Sequence, residues 1–338
     1  MKTLKLWLFV LVLFAYRSEC LDQSSWKTLP NAPVSEFYGR HEDLCFVNPS
    51  VGWIVNLGGR IYKTSDGGGS WVKQFENSRA RFRSVSFSDS MRGWAGTIDS
   101  GYLYQTTNGG STWMKVQNLP LVRPRGICGI SAVDDSVIYA CGFNNSPAHL
   151  LKTSDGGATW SSMDMKDYAS VLIGCYFFSR DSGFVVGGIG GNRSSSKIRA
   201  VVLFTDDGGR TWQTRHRTSR MREWCWKISF RSRNIGYASI ESAHDSVHYL
   251  TTTDGGITWQ ERFALQAYER IQAVEFVGAK GWLGSWSLSF ETLDAGATWH
   301  VANFGTVINR FQMFSDILGY AVGKTVYKYS NEKTTGEK

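Results

Sequence analysis

From Ser154 to Trp160 the chain reads SDGGATW, inside the longer stretch LLKTSDGGATWSSM. A single loop of this kind could carry chemistry, whereas a repeated one is architecture. It is repeated: TSDGGGSW ends at Trp71, TTNGGSTW at Trp113, TDDGGRTW at Trp212, TTDGGITW at Trp259 and TLDAGATW at Trp299. The six tryptophans from Trp71 to Trp299, Trp160 among them, are separated by 42, 47, 52, 47 and 40 residues. Periods of that size mark supersecondary units, each too small to bury its own apolar face.

One period can be read strand by strand. In FRSVSFSDSMRGWAGTIDSGYLYQTTNGGSTWMKV, Phe82 to Phe87 alternate as a strand does and Ser88-Asp89-Ser90 turns. Arg92 to Gly96 forms a second strand, Tyr102 to Thr106 a third, and Trp113 to Val116 a fourth after the turn Asn108-Gly109-Gly110. The other periods keep the landmarks: a G-aromatic-x-x-G second strand (GWIVNLG, GFVVGG, GWLG, GYAVG) and a third strand such as IYKTS, LLKTS or VYKYS. Seven second and third strands stand against six turn–tryptophan motifs. The last period stops at Asn331, and the missing strand is at the other end, in Ser25-Trp26-Lys27-Thr28-Leu29, with Trp26 lying 45 residues before Trp71. An N-terminal strand that completes the last sheet closes a ring and protects both edges. The expected fold is all-β: a seven-bladed β-propeller of four-stranded antiparallel blades over residues 24–330, with a polar tail at 331–338.

Composition agrees with many hairpins around a large core: 36 glycines, 6 prolines, 14% aromatic and 42% hydrophobic residues in a chain of 338. Ahead of the repeats, MKTLKLWLFVLVLFAYRSEC has basic Lys2 and Lys5, an apolar run from Leu6 to Ala15 and a polar end. Residues 1–20 read as a signal peptide, with an uncleaved anchor or a lipidated Cys20 as alternatives. The protein is thus expected to be exported, into the medium, a periplasm or a thylakoid lumen according to the host. Export permits disulfides. Beyond the leader stand five cysteines, Cys45, Cys128, Cys141, Cys175 and Cys225, an odd number without CxxC or zinc spacing. Cys128 and Cys141, on successive strands, read equally as a pair or as buried thiols. Asn144 and Asn192 head glycosylation sequons.

The turn motif has a structural rationale. Its carboxylate can accept turn amide hydrogen bonds, its glycines permit positive φ, and the threonine before tryptophan can tie back to the turn. The tryptophan then wedges against the sheet near the blade's outer edge. The structural set is Asp66 with Trp71, Asn108 with Trp113, Asp155 with Trp160, Asp207 with Trp212, Asp254 with Trp259, and Asp294 with Trp299. Asn108 keeps the acceptor oxygen without the charge, Ala295 replaces the first glycine, and Ser70 replaces threonine. One carboxylate per turn is a poor cation ligand set, so neither a metal nor a cofactor is expected.

These turns resemble the Asp-box (BNR-type) repeats of sialidases and sortilin-like receptors. The whole pattern, seven units of G-aromatic-x-x-G followed by I-Y-x-T-x-DGG-x-TW over residues 24–330, is similar to the Ycf48/HCF136 family of photosystem II assembly factors. The resemblance implies a lumenal or periplasmic seven-bladed propeller without catalytic chemistry, engaging its client through an arginine patch.

Function is sought where the blades differ. The segments between a tryptophan strand and the next first strand are rich in arginine: Arg40, then Arg79, Arg81 and Arg83, then Arg123 and Arg125, then Arg215, Arg217, Arg220 and Arg222, then Arg270, then Arg310. In a propeller these crossings emerge on one face, around the channel, with the DGG turns opposite. The formal charge is +8, about +6 without the leader. The candidate client-binding residues are Arg81, Arg83, Arg125, Arg220 and Arg222, with Arg270 and Arg310. Such a patch suits an acidic protein surface or a peptide C-terminus, including that of a membrane-protein client. Phe82, Trp224 and Trp226 flank arginines and belong either to an interface or to the inter-blade core. The long connection at 187–199 reaches the same face. A monomer is expected, and no nucleic acid, because no zinc finger, helix-turn-helix or lysine tract is present.

Two alternatives compete. A sialidase-like glycoside hydrolase would combine the arginines with two carboxylates on a shared face. Asp99, Asp181, Glu223, Glu241 and Glu269 are available, nothing selects a pair, and the first blade offers FYGRHED rather than the FRIP-type entry. A binding scaffold predicts instead a broad basic face without a buried carboxylate pair. The second alternative is a generic secreted binding propeller unrelated to photosynthesis.

Overall fold

Each of the seven periods folds into one four-stranded antiparallel sheet, and the seven sheets are the blades of a ring. The computed structural model describes residues 25–36, 39–142 and 148–330. The leader, the tail at 331–338 and the Asn144 sequon lie outside the described residues. Blades 1 to 6 occupy residues 41–76, 82–115, 129–164, 171–217, 223–266 and 271–301. Blade 7 takes three strands from residues 310–330 and its fourth from Ser25–Thr28, which runs antiparallel to Val326–Ser330 with Trp26 opposite Tyr329. The first strands of neighbouring blades touch in an unbroken cycle, blade 7 to blade 1 included. Both ends of the chain therefore close the ring, as the split period implies. Among the described residues no helix is long and apolar enough to cross a membrane.

The core lies between blades, and it explains the G-aromatic landmark. The Trp53 ring of blade 1 stacks on Phe87 of blade 2, centroids 3.5 Å apart. Tyr139 stacks on Phe177 at 3.5 Å, and Tyr320 of blade 7 on Phe46 of blade 1 at 3.8 Å. Each of these phenylalanines ends a first strand and lies over a glycine of its own blade. A Cβ on Gly93 would sit 2.4 Å from the Phe87 ring, and one on Gly52 the same distance from Phe46. Glycine clears the space, and the next residue supplies a ring for the neighbouring blade. The Asp-box tryptophan meets the same phenylalanine edge-on, Trp113 against Phe87 at 5.7 Å and Trp71 against Phe46 at 6.2 Å. Its role is thus wider than a wedge at the outer edge: it completes a three-ring contact across the blade seam.

The turns follow one bonding plan. In SDGGATW the Thr159 amide donates to Asp155 Oδ1 at 2.8 Å, and the Thr159 hydroxyl donates to Oδ2 at 2.6 Å. Thr153 adds a part that the sequence pattern did not advertise: its hydroxyl donates to Asp155 Oδ1 at 2.7 Å and accepts from the Gly157 amide at 3.0 Å. The hydroxyl and amide bonds hold the Asp155 carboxyl down to about 2. In the Asn108 copy the amide group instead donates to the Thr112 hydroxyl at 2.9 Å. Gly156 and Gly157, at φ of 70° and 94°, hold left-handed backbone that a Cβ disfavours. The turn also joins blades: Gln105 of blade 2 donates to the Gly156 carbonyl at 2.9 Å, as Lys63 does to Gly109 and Lys152 to Gly208 at the same distance.

All five cysteines among the described residues stand as thiols, none in a disulfide. Of the two readings of Cys128 and Cys141, the pair is not formed. Their backbones pair instead, the Cys128 amide donating to the Cys141 carbonyl at 2.9 Å.

Candidate functional site

The crossings into each first strand and the connections between second and third strands reach the same end of the ring, because the strands alternate in direction. That end carries the arginines. At its centre six blades contribute to one buried polar network. Arg40, at the entry to blade 1, meets Glu42 through Nε at 3.0 Å and Nη2 at 3.2 Å. Arg83 of blade 2 pairs with the same carboxylate. Arg40 also donates to the Gln272 side chain of blade 6, and Gln272 donates to Glu241 of blade 5 at 2.8 Å. Glu241 in turn receives Arg193, from the long connection of blade 4, at 3.4 Å and Arg270 at 3.9 Å. Asn309, ahead of blade 7, accepts from Trp226 Nε1 at 2.8 Å and donates to the Glu42 carbonyl.

Aromatic faces hold the guanidinium groups in place. Arg83 and Arg193 lie 4.5 and 4.9 Å from the Trp226 ring centroid, and Arg193 is 5.0 Å from Trp224. Arg40 lies 4.1 Å over Trp286. Phe82, Trp224 and Trp226 are themselves buried. The core reading of these rings is therefore the right one, and the two tryptophans double as platforms for cations. Burial pulls Arg40 down to about 10 and Arg83 to about 9, so both remain cationic at neutral pH. Four arginines around the two glutamates leave the network with excess positive charge.

Beside the network opens a cavity of about 880 Å³, lined by Lys166, Arg193, Arg222, Trp224 and Arg270 together with Gly191 to Ser195. No carboxylate lines it among the described residues. Arg222 is exposed on a left-handed backbone, φ 60°, a conformation uncommon outside glycine. Exposed apolar side chains stand on the same end of the ring: Leu121 and Val122 in the crossing to blade 3, Met221 and Tyr268 in later crossings, and Trp286 and Leu288 in a blade 6 connection.

The candidate arginines divide by position. Arg222 and Arg270 are exposed at the cavity, and Arg83 is buried beneath it. Arg81 pairs with Asp99 at 2.7 Å, and Arg125 is exposed on the crossing before blade 3. Arg220 pairs with Glu223 at 2.6 Å and with Glu261. Arg310 points into the channel, 3.4 Å from the Ile228 carbonyl and 3.9 Å from Asp43. The scaffold reading expected a basic face without a buried carboxylate pair, and the structure corrects this. Glu42, Glu223 and Glu241 are all fully buried there, each compensated by arginine. Of the remaining acids, Glu269 accepts from Ser285 at 2.6 Å and from Ser287 at 2.5 Å. The sequence does not single out Glu42, Gln272, Asn309 or Trp286, and Arg193 enters only as part of the connection at 187–199.

Below the network a second cavity of about 290 Å³ runs in the channel, lined by Asp43, Cys45, Cys175, Lys227, Glu275 and Arg310, among others. Lys227 pairs with Asp43 at 3.3 Å. Burial drives Lys227 down to about 8 and Glu275 up to about 7.

The comparisons with known proteins agree with this architecture. The model of the family described as "Photosynthesis system II assembly factor YCF48" matches residues 19–122, and that of the BNR/Asp-box repeat matches residues 250–261. No curated protein matches the sequence. Among solved structures, "YCF48 bound to D1 peptide" is 18% identical, covering 91% of this chain and 95% of that one, with a TM-score of 0.65. "YCF48 from Cyanidioschyzon merolae" is 17% identical, covering 92% and 100%, with a TM-score of 0.66. An ancestral GH74 enzyme, 16% identical, covers 91% of this chain but 46% of its own, with a TM-score of 0.60. At such identities the structures establish a shared fold. Residues 19–122 thus match the Ycf48 family model, and the chain as a whole shares the propeller fold of the solved Ycf48 structures.

Proposed function

We propose that this protein is a non-catalytic, exported scaffold that binds a client peptide or membrane-protein segment on its arginine face, in the manner of a photosystem II assembly factor. The observation that carries the reading is the cavity lined by Lys166, Arg193, Arg222 and Arg270 with no carboxylate among its lining, above a network in which Glu241 pairs with Arg193 and Arg270. Preorganised guanidinium groups lose little freedom on meeting a carboxylate, so the site favours an acidic segment or a free C-terminus. The exposed Leu121, Tyr268 and Trp286 supply apolar contact around it. A solved Ycf48 is described as bound to a D1 peptide, which supports a peptide client here too. Arg81, Arg125 and Arg220 extend the same face, while Arg83 and Arg310 act from within. The protein works as a monomer after loss of residues 1–20, in a lumen or periplasm. Glycoside hydrolysis needs two acids facing one cavity, whereas Asp99, Glu223 and Glu241 are bonded to arginine and Glu269 to serine. Titrating the protein with one labelled peptide as free acid and as C-terminal amide tests the reading. The acid form should bind more tightly, and equal binding by both forms removes the C-terminal carboxylate from it.

A further inference from the structure

The inner strands of blades 3 and 4 approach closely because glycine faces glycine. A Cβ on Gly129 would lie 3.0 Å from Gly174 Cα and 3.0 Å from the Cys175 nitrogen. Cys141 stands directly opposite Gly129 in the blade 3 ladder. Residues directly opposite in an antiparallel pair project to the same face, so the Cys141 side chain leaves its sheet toward blade 4. There it meets Cys175: the two thiols share one core cluster with Tyr139 and Leu172, and they hydrogen-bond across the seam. Cys175 also lines the channel cavity, which opens a path for a small reagent to an otherwise buried pair.

We infer that Cys141 and Cys175 form a redox-active dithiol that closes to a disulfide between blades 3 and 4. The oxidant is a small-molecule disulfide of the glutathione type. The Cys175 thiolate attacks one of its sulfurs, forming a mixed disulfide and releasing one small thiol, which takes the Cys175 proton. Cys141 then attacks the Cys175 sulfur, displacing the second small thiolate, which takes the Cys141 proton. Two protein thiols are oxidised and one small disulfide is reduced to two thiols. The order follows from position. Cys175 borders the cavity, while Cys141 is fully buried and is held protonated by the Cys175 hydrogen bond and by burial. The bond ties blade 3 to the blade that carries Arg193, and so stiffens one wall of the arginine cavity. Cys45, the other cysteine on the channel, accepts from the Phe87 amide at 3.3 Å.

The test is oxidation of the folded full chain with oxidised glutathione, followed by alkylation and peptide mapping under non-reducing conditions. Trypsin leaves Cys128 and Cys141 in one peptide, so the Cys128→Ser variant is mapped alongside. The expected product has lost two hydrogens and links Cys141 to Cys175, and its melting temperature rises by about 5 °C. Dithiothreitol reverses both changes. Cys128→Ser and Cys45→Ser retain them, and Cys175→Ser abolishes them. A stable glutathione adduct, a cross-link through Cys128, or an unchanged mass overturns the inference. A second digestion of the wild-type protein at Asp134 and Asp135, which separates Cys128 from Cys141, decides the matter even if a serine variant fails to fold.

Discussion

Arg40 and Glu42, two residues apart at the entry to blade 1, form a two-pronged ion pair, at 3.0 and 3.2 Å, that solvent does not reach. Glu42 also serves Arg83, so its charge compensates two buried guanidinium groups at once. Replacing it by glutamine leaves both cations without their directly bonded counter-charge. Glu42→Gln should destabilise the fold by about 3–5 kcal/mol, read in urea unfolding. A loss no larger than that of a surface substitution would mean that water compensates the arginines.

The Asp-box carboxylates predict an acid transition. Serine or threonine and turn bonds hold Asp66, Asp155, Asp254 and Asp294 at about 2, below an ordinary 3.8. A depressed carboxylate stabilises the fold above its unfolded value, and that contribution is lost as pH falls from about 4 through 2. Melting temperature should therefore drop across this window. Asp155→Asn keeps the acceptor oxygen, as Asn108 does, so its melting temperature should fall less steeply than that of the wild type below pH 4. Parallel curves would show that the turn does not sense its charge.

Glu275 predicts the opposite sign at higher pH. Burial lifts it from an ordinary 4.5 to about 7. A carboxyl that ionises later in the folded state than in the unfolded one destabilises the fold as pH rises from 4.5 to 7, after which the penalty is constant. Glu275→Gln should thus be neutral below pH 4.5 and stabilising above pH 7, by on the order of 3 kcal/mol. A pH-independent effect would place the cause in packing rather than charge.

In blades 1, 2, 4, 5 and 6 the glycine before the second-strand aromatic makes room for a phenylalanine of the same blade. Gly93→Ala puts a methyl group 2.4 Å from Phe87 and should cost about 1–3 kcal/mol. Trimming the ring, in Gly93→Ala with Phe87→Leu, should recover part of that loss. Additive losses in the double variant would show that the clash is not what destabilises Gly93→Ala.

The ring was legible because its determinants are local and repeated. The spacing from Trp71 to Trp299 set the period, and Trp26 supplied the missing strand. The partners of the arginines were not legible. Glu42, Glu241 and Gln272 come from blades 1, 5 and 6, and only ring closure brings them together, so no spacing links them. Strand alternation could have hinted that Arg83 turns inward, since Phe82 and Val85 lie in the same strand, but arginine is seldom buried without a partner that can be seen. Arg222 and Arg270 were legible as rim residues because both lie in crossings just ahead of a first strand.

The central claim is that the arginine cavity binds an acidic client segment. The most direct measurement is the affinity of a labelled acidic peptide for the wild type, for Arg222→Ala with Arg270→Ala, and for Arg210→Ala, which alters an exposed arginine in a DGG turn on the opposite face. The account predicts at least a roughly tenfold loss for the double variant, an unchanged value for Arg210→Ala, and weaker wild-type binding at high salt. Equal affinity of all three proteins would contradict it.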